Sequence, residues 1–297
     1  MSEKKTVSVE NLNEYKGRSL AQETWRRFLK NKGALIGMGF MILLIILAFS
    51  GDLLYDFKVD ITGFSADLSE SPSLDHLFGT DQLGRDIFAR VVYGTRYSLI
   101  IGVGSVALGL VVGLITGSLA GFYGGFWDQL VMRANDILYS IPNIMLAVVI
   151  VQLLGKSIGS LLVALSISSA TSFAKITRAA VMTIRGQEYV ESAYAMGLPT
   201  WKIILKHIIP NCLSPIIVQV TLAIGSNIIS ASSLSFLGVG VPIPIPEWGT
   251  MLAEGRTYIV SEPWMCIFPG LAIMFTVLAL NLMGDGLRDA LDPKLKR

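Results

Sequence analysis

The sequence predicts an all-α, polytopic membrane protein with six transmembrane helices. Three observations carry that expectation. Apolar residues make up 52% of the 297-residue chain and charged residues only 15%, against roughly 25% charged in an average soluble domain. The deficit is gathered into six charge-free windows, 33–51, 97–127, 137–155, 157–174, 208–246 and 263–284, most of them close to the ~20 residues a helix needs to cross the hydrocarbon core. Lysine and arginine, finally, are shared unevenly among the connections, which places both ends on one side of the membrane.

Taken in order, residues 1–32 are a basic leading segment with Lys4, Lys5, Lys16, Arg18, Arg26, Arg27, Lys30 and Lys32. Window 33–51 follows as an uncleaved first helix, since its apolar run is longer than the roughly 7–15 residues of a signal-peptide core. Residues 52–96 are polar, acidic and external. They end in FGTDQLGRDIFARVVYGTRYS, where Gly79, Gly84 and Gly94 suggest turns around a short amphipathic helix lying on the outer surface.

A core of residues 97–284 comes next. Its second span is long and carries small residues at every fourth position: Ser105, Gly109, Gly113, Gly117, Gly121 and Gly125. Glycine at this spacing reduces one helix face to backbone and lets another helix approach closely. Gly109, Gly113, Gly117 and Gly121 are therefore expected at a packing face rather than along a transport path. The fourth span has a weaker series, Ser160, Ala164, Ser168 and Ser172, that also offers hydroxyls. Asp128, Arg133, Asp136, Lys175 and Arg178 fall near the inner ends of the third and fourth spans and read as an interfacial cluster.

The connection 175–207 is internal. Window 208–246 is long enough for two helices, but Pro242, Pro244 and Pro246 behind Gly238 and Gly240 make its second half a poor one. It is expected to hold one span, leaving 233–262 as an external loop in which PIPIPEWG follows a stiff, extended path. Window 263–284 is the sixth span, and 285–297 is a basic tail on the side where the chain began. Only Lys58, Arg85, Arg90, Arg96, Lys156 and Arg256 fall on the opposite face, so both termini are expected in the cytoplasm.

Several activities are excluded. Cys212 and Cys266 have no CxxC spacing, and the two histidines, His76 and His207, are far apart, which gives no zinc site. The tripeptide Gly155–Ser157 ends like a phosphate-binding loop, but Ile150 stands where that loop requires glycine. No nucleophile elbow or His-Glu-x-x-His is present. The spans also lack the deep ionisable residues by which gradient-driven transporters and intramembrane enzymes are recognised. If the chain transports, its energy source is a partner.

The segment EYVESAYAMGLPTWKIILKHIIP, Glu188 to Pro210, identifies that partner. Glu191, Ala193, Gly197 and Pro210 stand at the offsets of the glutamate-alanine-alanine loop of ABC importer permeases, E-A-A-x3-G-x9-I-x-L-P. Ser192 replaces the first alanine, His207 the isoleucine and Ile209 the leucine. Four further runs, 78–99, 121–138, 235–256 and 269–293, follow in the same order as in that family. From Trp25 onward the chain resembles the C-type permease subunit of the dipeptide/oligopeptide/nickel ABC importers.

The resemblance implies a type I ABC importer permease fold with a cytoplasmic coupling helix, in a bacterial or archaeal cell membrane. It implies as partners a homologous second permease subunit, two cytoplasmic ATPases that carry ATP and magnesium, an external substrate-binding protein and membrane lipid. No cofactor, metal, catalytic residue or nucleic acid is assigned to this chain. Coupling falls to Glu188, Glu191, Ser192, Ala193, Gly197 and Pro210, with Glu191 pairing a basic partner residue, Ala193 keeping the contact shallow and Gly197 allowing the turn. Pro242, Pro244, Pro246 and Trp248 are expected to meet the binding protein or shape the outer gate. Peptides are the expected substrate, with nickel or another metal chelate as the alternative.

Overall fold

The uncharged windows form long helices in the computed structural model, which describes residues 20–64 and 66–291. In chain order these are α1 (Leu20–Phe28), α2 (Lys32–Leu54), α3 (Ile87–Tyr123), α4 (Gly125–Ser140), α5 (Asn143–Leu154), α6 (Ile158–Ile184), α7 (Glu188–Ala195), α8 (Thr200–Ile203), α9 (Ile209–Phe236), α10 (Trp248–Gly255) and α11 (Trp264–Leu291). Lys4, Lys5, Lys16, Arg18, Lys294, Lys296 and Arg297 lie outside the described residues. Among the described residues the one β pairing is a single bridge between Thr80 and Asp86.

Five helical stretches are long and apolar enough to cross a bilayer: α2, α3, α6, α8 continued through α9, and α11. The third expected span, 137–155, is not a straight helix. α4 and α5 meet at 91°, and the break falls at Ile141–Pro142, where both residues are extended. Proline has no N–H to continue the ladder and forces the residue before it out of the helical region. The bent pair still carries the chain across, as the neighbouring helices require. α3 and α6 are parallel, because Gly104 meets Leu162 near one end and Gly121 meets Val181 near the other. The chain must therefore return between Tyr123 and Ile158, making six crossings.

α9 and α11 close the bundle. Gly102 of α3 contacts Ile228, so α9 runs antiparallel to α3, and Gly284 beside Thr221 makes α11 antiparallel to α9. α2 lies on α11, with Ala34 against Gly286 and Gly37 against Ala279. The first and last described helices thus end on the same face, where Phe28, Ala34 and Ala290 pack together.

Two external expectations change. The run after Arg85 is not a separate surface helix, because α3 already begins at Ile87. Asp86 caps it by accepting from the Ala89 N–H at 2.8 Å, and Gly94 bends nothing; it leaves room for the Pro246 carbonyl. The path after Pro246 is not extended either. The Glu247 carboxylate accepts from the Gly249 and Thr250 N–H groups, each at 2.9 Å, and starts α10. An acid at this position satisfies otherwise orphaned donors and complements the positive end of the helix dipole.

Candidate functional site: an inner handle, a polar cleft and an outer clamp

At the end of the bundle where the chain's first and last described helices meet, α7 has two unlike faces. Val190 and Ala193 are buried in a cluster with Val181, Ile203, Ile208, Cys212 and Ile216. Ala193, expected to lie under a partner, instead seats α7 on its own bundle; its small side chain fits the space between α7 and the start of α9. Glu188, Glu191 and Ser192 are exposed, and among the described residues no cation pairs with either acid. Beside them Tyr194, Met196 and Trp201 stay 63%, 73% and 60% exposed. An uncovered aromatic and methionine patch rimmed by acids is the make-up of a protein–protein contact.

The turn after α7 is set by Gly197 at φ +75°. Gly197 N–H donates to the Tyr194 carbonyl at 3.0 Å and Leu198 N–H to the Ala193 carbonyl at 3.3 Å, a Schellman closure that calls for a left-handed residue. Pro210 is exposed where α8, through a wider turn at Ile204–Ile208, continues into α9, and its missing N–H interrupts the ladder at that junction.

The helix that leads into α7 is tied to its neighbours. Arg178 makes a two-pronged ion pair with Asp128, joining α6 to α4. Lys175 pairs with Asp136 at 3.3 Å and lies 4.2 Å from the centre of the Tyr139 ring. Arg185 donates to the Gly121 carbonyl at 2.8 Å. The small-residue ladder completes the block: a Cβ on Gly109, Gly113, Gly117 or Gly121 would lie 2.8, 2.9, 2.5 or 2.9 Å from the carbonyls of Ser166, Ala170, Ala174 and Arg178. α3 and α6 are in backbone contact over four turns.

Within the membrane, a cleft of about 180 Å³ opens where α4 and α5 diverge. Its walls carry Ser168 and Ser172 of α6 and Gln219, Ser226, Asn227 and Ser230 of α9. No lining residue is charged. The small-residue series of α6 divides: Ser160 and Ala164 are buried, whereas Ser168 and Ser172 face the cleft. The bend at Pro142 that creates the opening was not anticipated, although Ile-Pro in mid-window was its signal.

At the end of the bundle opposite α7, four charges close on one another. Arg85 donates to Asp81 at 2.6 Å and Glu254 at 3.0 Å, and Arg90 donates to the same two acids at 2.5 and 2.7 Å. Asp81, Arg85 and Arg90 are at most 3% exposed. The cluster clamps the loop before α3, α3 itself and α10. Trp248 stands beside it, fully buried, donating from Nε1 to the Val91 carbonyl at 3.0 Å. Pro246 is buried too, so the docking surface expected from Pro242 to Trp248 narrows to Pro242 and Pro244, which are exposed.

Residues 88–297 match the family described as the binding-protein-dependent transport system inner membrane component. The chain belongs to that family. Residues 19–72 match the N-terminal TM domain of oligopeptide transport permease C. Among similar proteins, the glutathione transport system permease protein GsiD of Escherichia coli O6:K15:H31 is 45% identical over 274 residues, 92% of this chain and 90% of the relative. GsiD of Pectobacterium atrosepticum is 46% identical over 276 residues, 93% and 91% of the two chains. The methionine ABC transporter MetNI, solved facing inward, shares the fold at a TM-score of 0.58 and 20% identity over 69% of this chain and 98% of that one.

The protein is thus a C-type permease subunit of the dipeptide/oligopeptide/nickel ABC importers, with the type I permease fold. It is a multi-pass protein of the bacterial inner membrane and not itself an enzyme. In this permease the exposed face of α7, the cleft and the charge cluster around Arg90 follow one another along the bundle.

Proposed function

We propose that this permease forms half of an import path for short peptides, worked by cytoplasmic ATPases that grip α7. The uncharged, hydrogen-bonding cleft carries the substrate reading. A peptide bond offers neutral donors and acceptors that such a wall can satisfy, whereas a hydrated metal complex is better met by charge. The relatives named for transport of glutathione, itself a short peptide, support the same class. Orientation follows from the basic face: Arg26, Arg27, Lys30, Lys32, Lys202, Lys206 and Arg288 share the side of α7, which makes that side cytoplasmic by the positive-inside rule.

The mechanism is rigid-body coupling. Two ATPases close on ATP, the one beneath this chain holds Glu188, Glu191, Ser192 and the exposed aromatics of α7, and the tied α3–α6 block turns with it. A homologous second permease supplies the other wall, and an external binding protein delivers substrate near Pro242 and Pro244. The test is uptake by the complete importer in proteoliposomes with its own binding protein. Labelled di- to pentapeptides should accumulate with ATP; accumulation of a nickel chelate and no peptide would replace this substrate reading.

A further inference from the structure

Asn227 lies beside Ser105, midway along α3 and about 27 Å from either end at 1.5 Å per residue. It is 7% exposed and contributes to the cleft wall. Its carboxamide nitrogen donates to Ser105 Oγ at 2.8 Å and Ser169 Oγ at 2.9 Å, tying α9 to α3 and α6. The orientation of the amide is fixed by chemistry. The Ser105 hydroxyl proton is already given to the Ile101 carbonyl at 2.7 Å, so its oxygen can only accept and Asn227 must donate there. Both amide protons then point into the bundle. Among the described residues no donor meets Asn227 Oδ1, the atom left for the cleft.

The neighbours on α9 are set the same way. Ser226 gives its proton to the Leu222 carbonyl at 3.2 Å, and Ser230 gives its own to the Ser226 carbonyl at 2.9 Å. Both hydroxyl oxygens remain as acceptors. This strip of α9 therefore offers acceptors whose own donors are committed elsewhere.

We propose that Asn227 Oδ1, flanked by Ser226 and Ser230, is a fixed acceptor that selects passing substrates by their N–H donors, such as peptide amides. The inference rests on the peptide reading above and adds a selecting residue within the path. An acceptor held by two hydrogen bonds from its own amide needs no reorganisation when a donor arrives, and a ligand lacking the donor covers it without replacing the bond to water.

The test compares a ratio between wild type and variant, so that the binding protein's own preference cancels. The complete importer in proteoliposomes is given a tripeptide and its backbone N-methylated analogue, and initial uptake rates are compared. Wild type should favour the N–H peptide, and Asn227→Ala should shrink that preference by about threefold to tenfold, the worth of one net hydrogen bond. Ser169→Ala loosens the same knot but spares Oδ1, so it should keep the wild-type ratio; this separates selection from packing. If Asn227→Ala does not assemble, Asn227→Gln, which shifts the acceptor by one methylene, should show the same loss. An unchanged ratio in the assembled Asn227 variant overturns the inference alone. Uptake of neither peptide by wild type overturns the substrate reading, and the inference with it.

Discussion

The two ends of this permease treat charge in opposite ways. At one end, Asp81, Arg85 and Arg90 are buried, Glu254 is nearly so, and the four pair with one another. At the other, Glu188 and Glu191 stand exposed with no cation of the described chain beside them. Charges that are closed on themselves hold a surface in shape; charges left open are available to a second protein. On the proposed reading, the paired charges hold one end in shape and the open acids of α7 are left for a partner.

The sharpest way to break that contrast is to remove one charge from each end. Arg90→Ala leaves two buried acids with one cation, a change that costs about 3–5 kcal/mol in comparable settings. It should abolish most folded protein, read as monodisperse material after detergent extraction, whereas Glu191→Ala should stay within about 0.5 kcal/mol of wild type in thermal stability. Equal losses at both sites would remove the distinction.

A smaller effect is expected between the ends. Gly113→Leu forces a side chain into the Ala170 carbonyl and Phe173, and overpacking of this kind typically costs about 1–3 kcal/mol. The yield of assembled complex should fall. A wild-type yield would mean that α3 and α6 do not need backbone contact to transmit motion.

The smallest effect concerns pH at the outer end. His76 Nδ1 lies 2.8 Å from Asp86, the cap of α3. The hydrogen bond to Asp86 raises the imidazole pKa above its usual 6.5, with burial opposing it and the charges of Asp86, Glu70 and Asp67 adding to it. A raised folded pKa means that the contribution is complete below the unfolded value and is lost as pH rises through the folded one. Hydrogen-exchange protection in residues 67–86, corrected for the intrinsic rise of exchange with pH, should fall across that window and become independent of pH in His76→Gln, while protection of α7 should show no such trend. A flat profile in wild type would exclude the pairing.

The sequence made the helices legible because charge-free length is a local property. Window edges at Gly33 and Gly284 fall inside α2 and α11, and Gly197 was recognisable as the turn after α7 from its spacing in the coupling loop. What escaped was non-local. Arg85, Arg90 and Glu254 were assigned only to the external face, since the 164 positions between Arg90 and Glu254 conceal that they meet. Trp248 was read as surface because prolines precede it, yet Glu247 turns the chain into a helix and buries the indole. Ala193 was placed toward the partner because the motif fixes its position in sequence but not the face of α7 it occupies.

The central claim is that α7 transmits the work of the ATPases through Glu191 and the turn at Gly197. Glu191→Lys removes an open acid and adds repulsion toward a basic partner; a charge-assisted hydrogen bond is typically worth about 1.5–3 kcal/mol. Gly197→Val opposes the +75° backbone angle that closes the helix. The decisive measurement is ATPase retention on the purified permease, paired with substrate-stimulated hydrolysis in proteoliposomes. Both variants should insert and fold normally, and each should lose the ATPases or lose the link between hydrolysis and uptake. Wild-type attachment together with wild-type coupled transport in both variants would contradict the account.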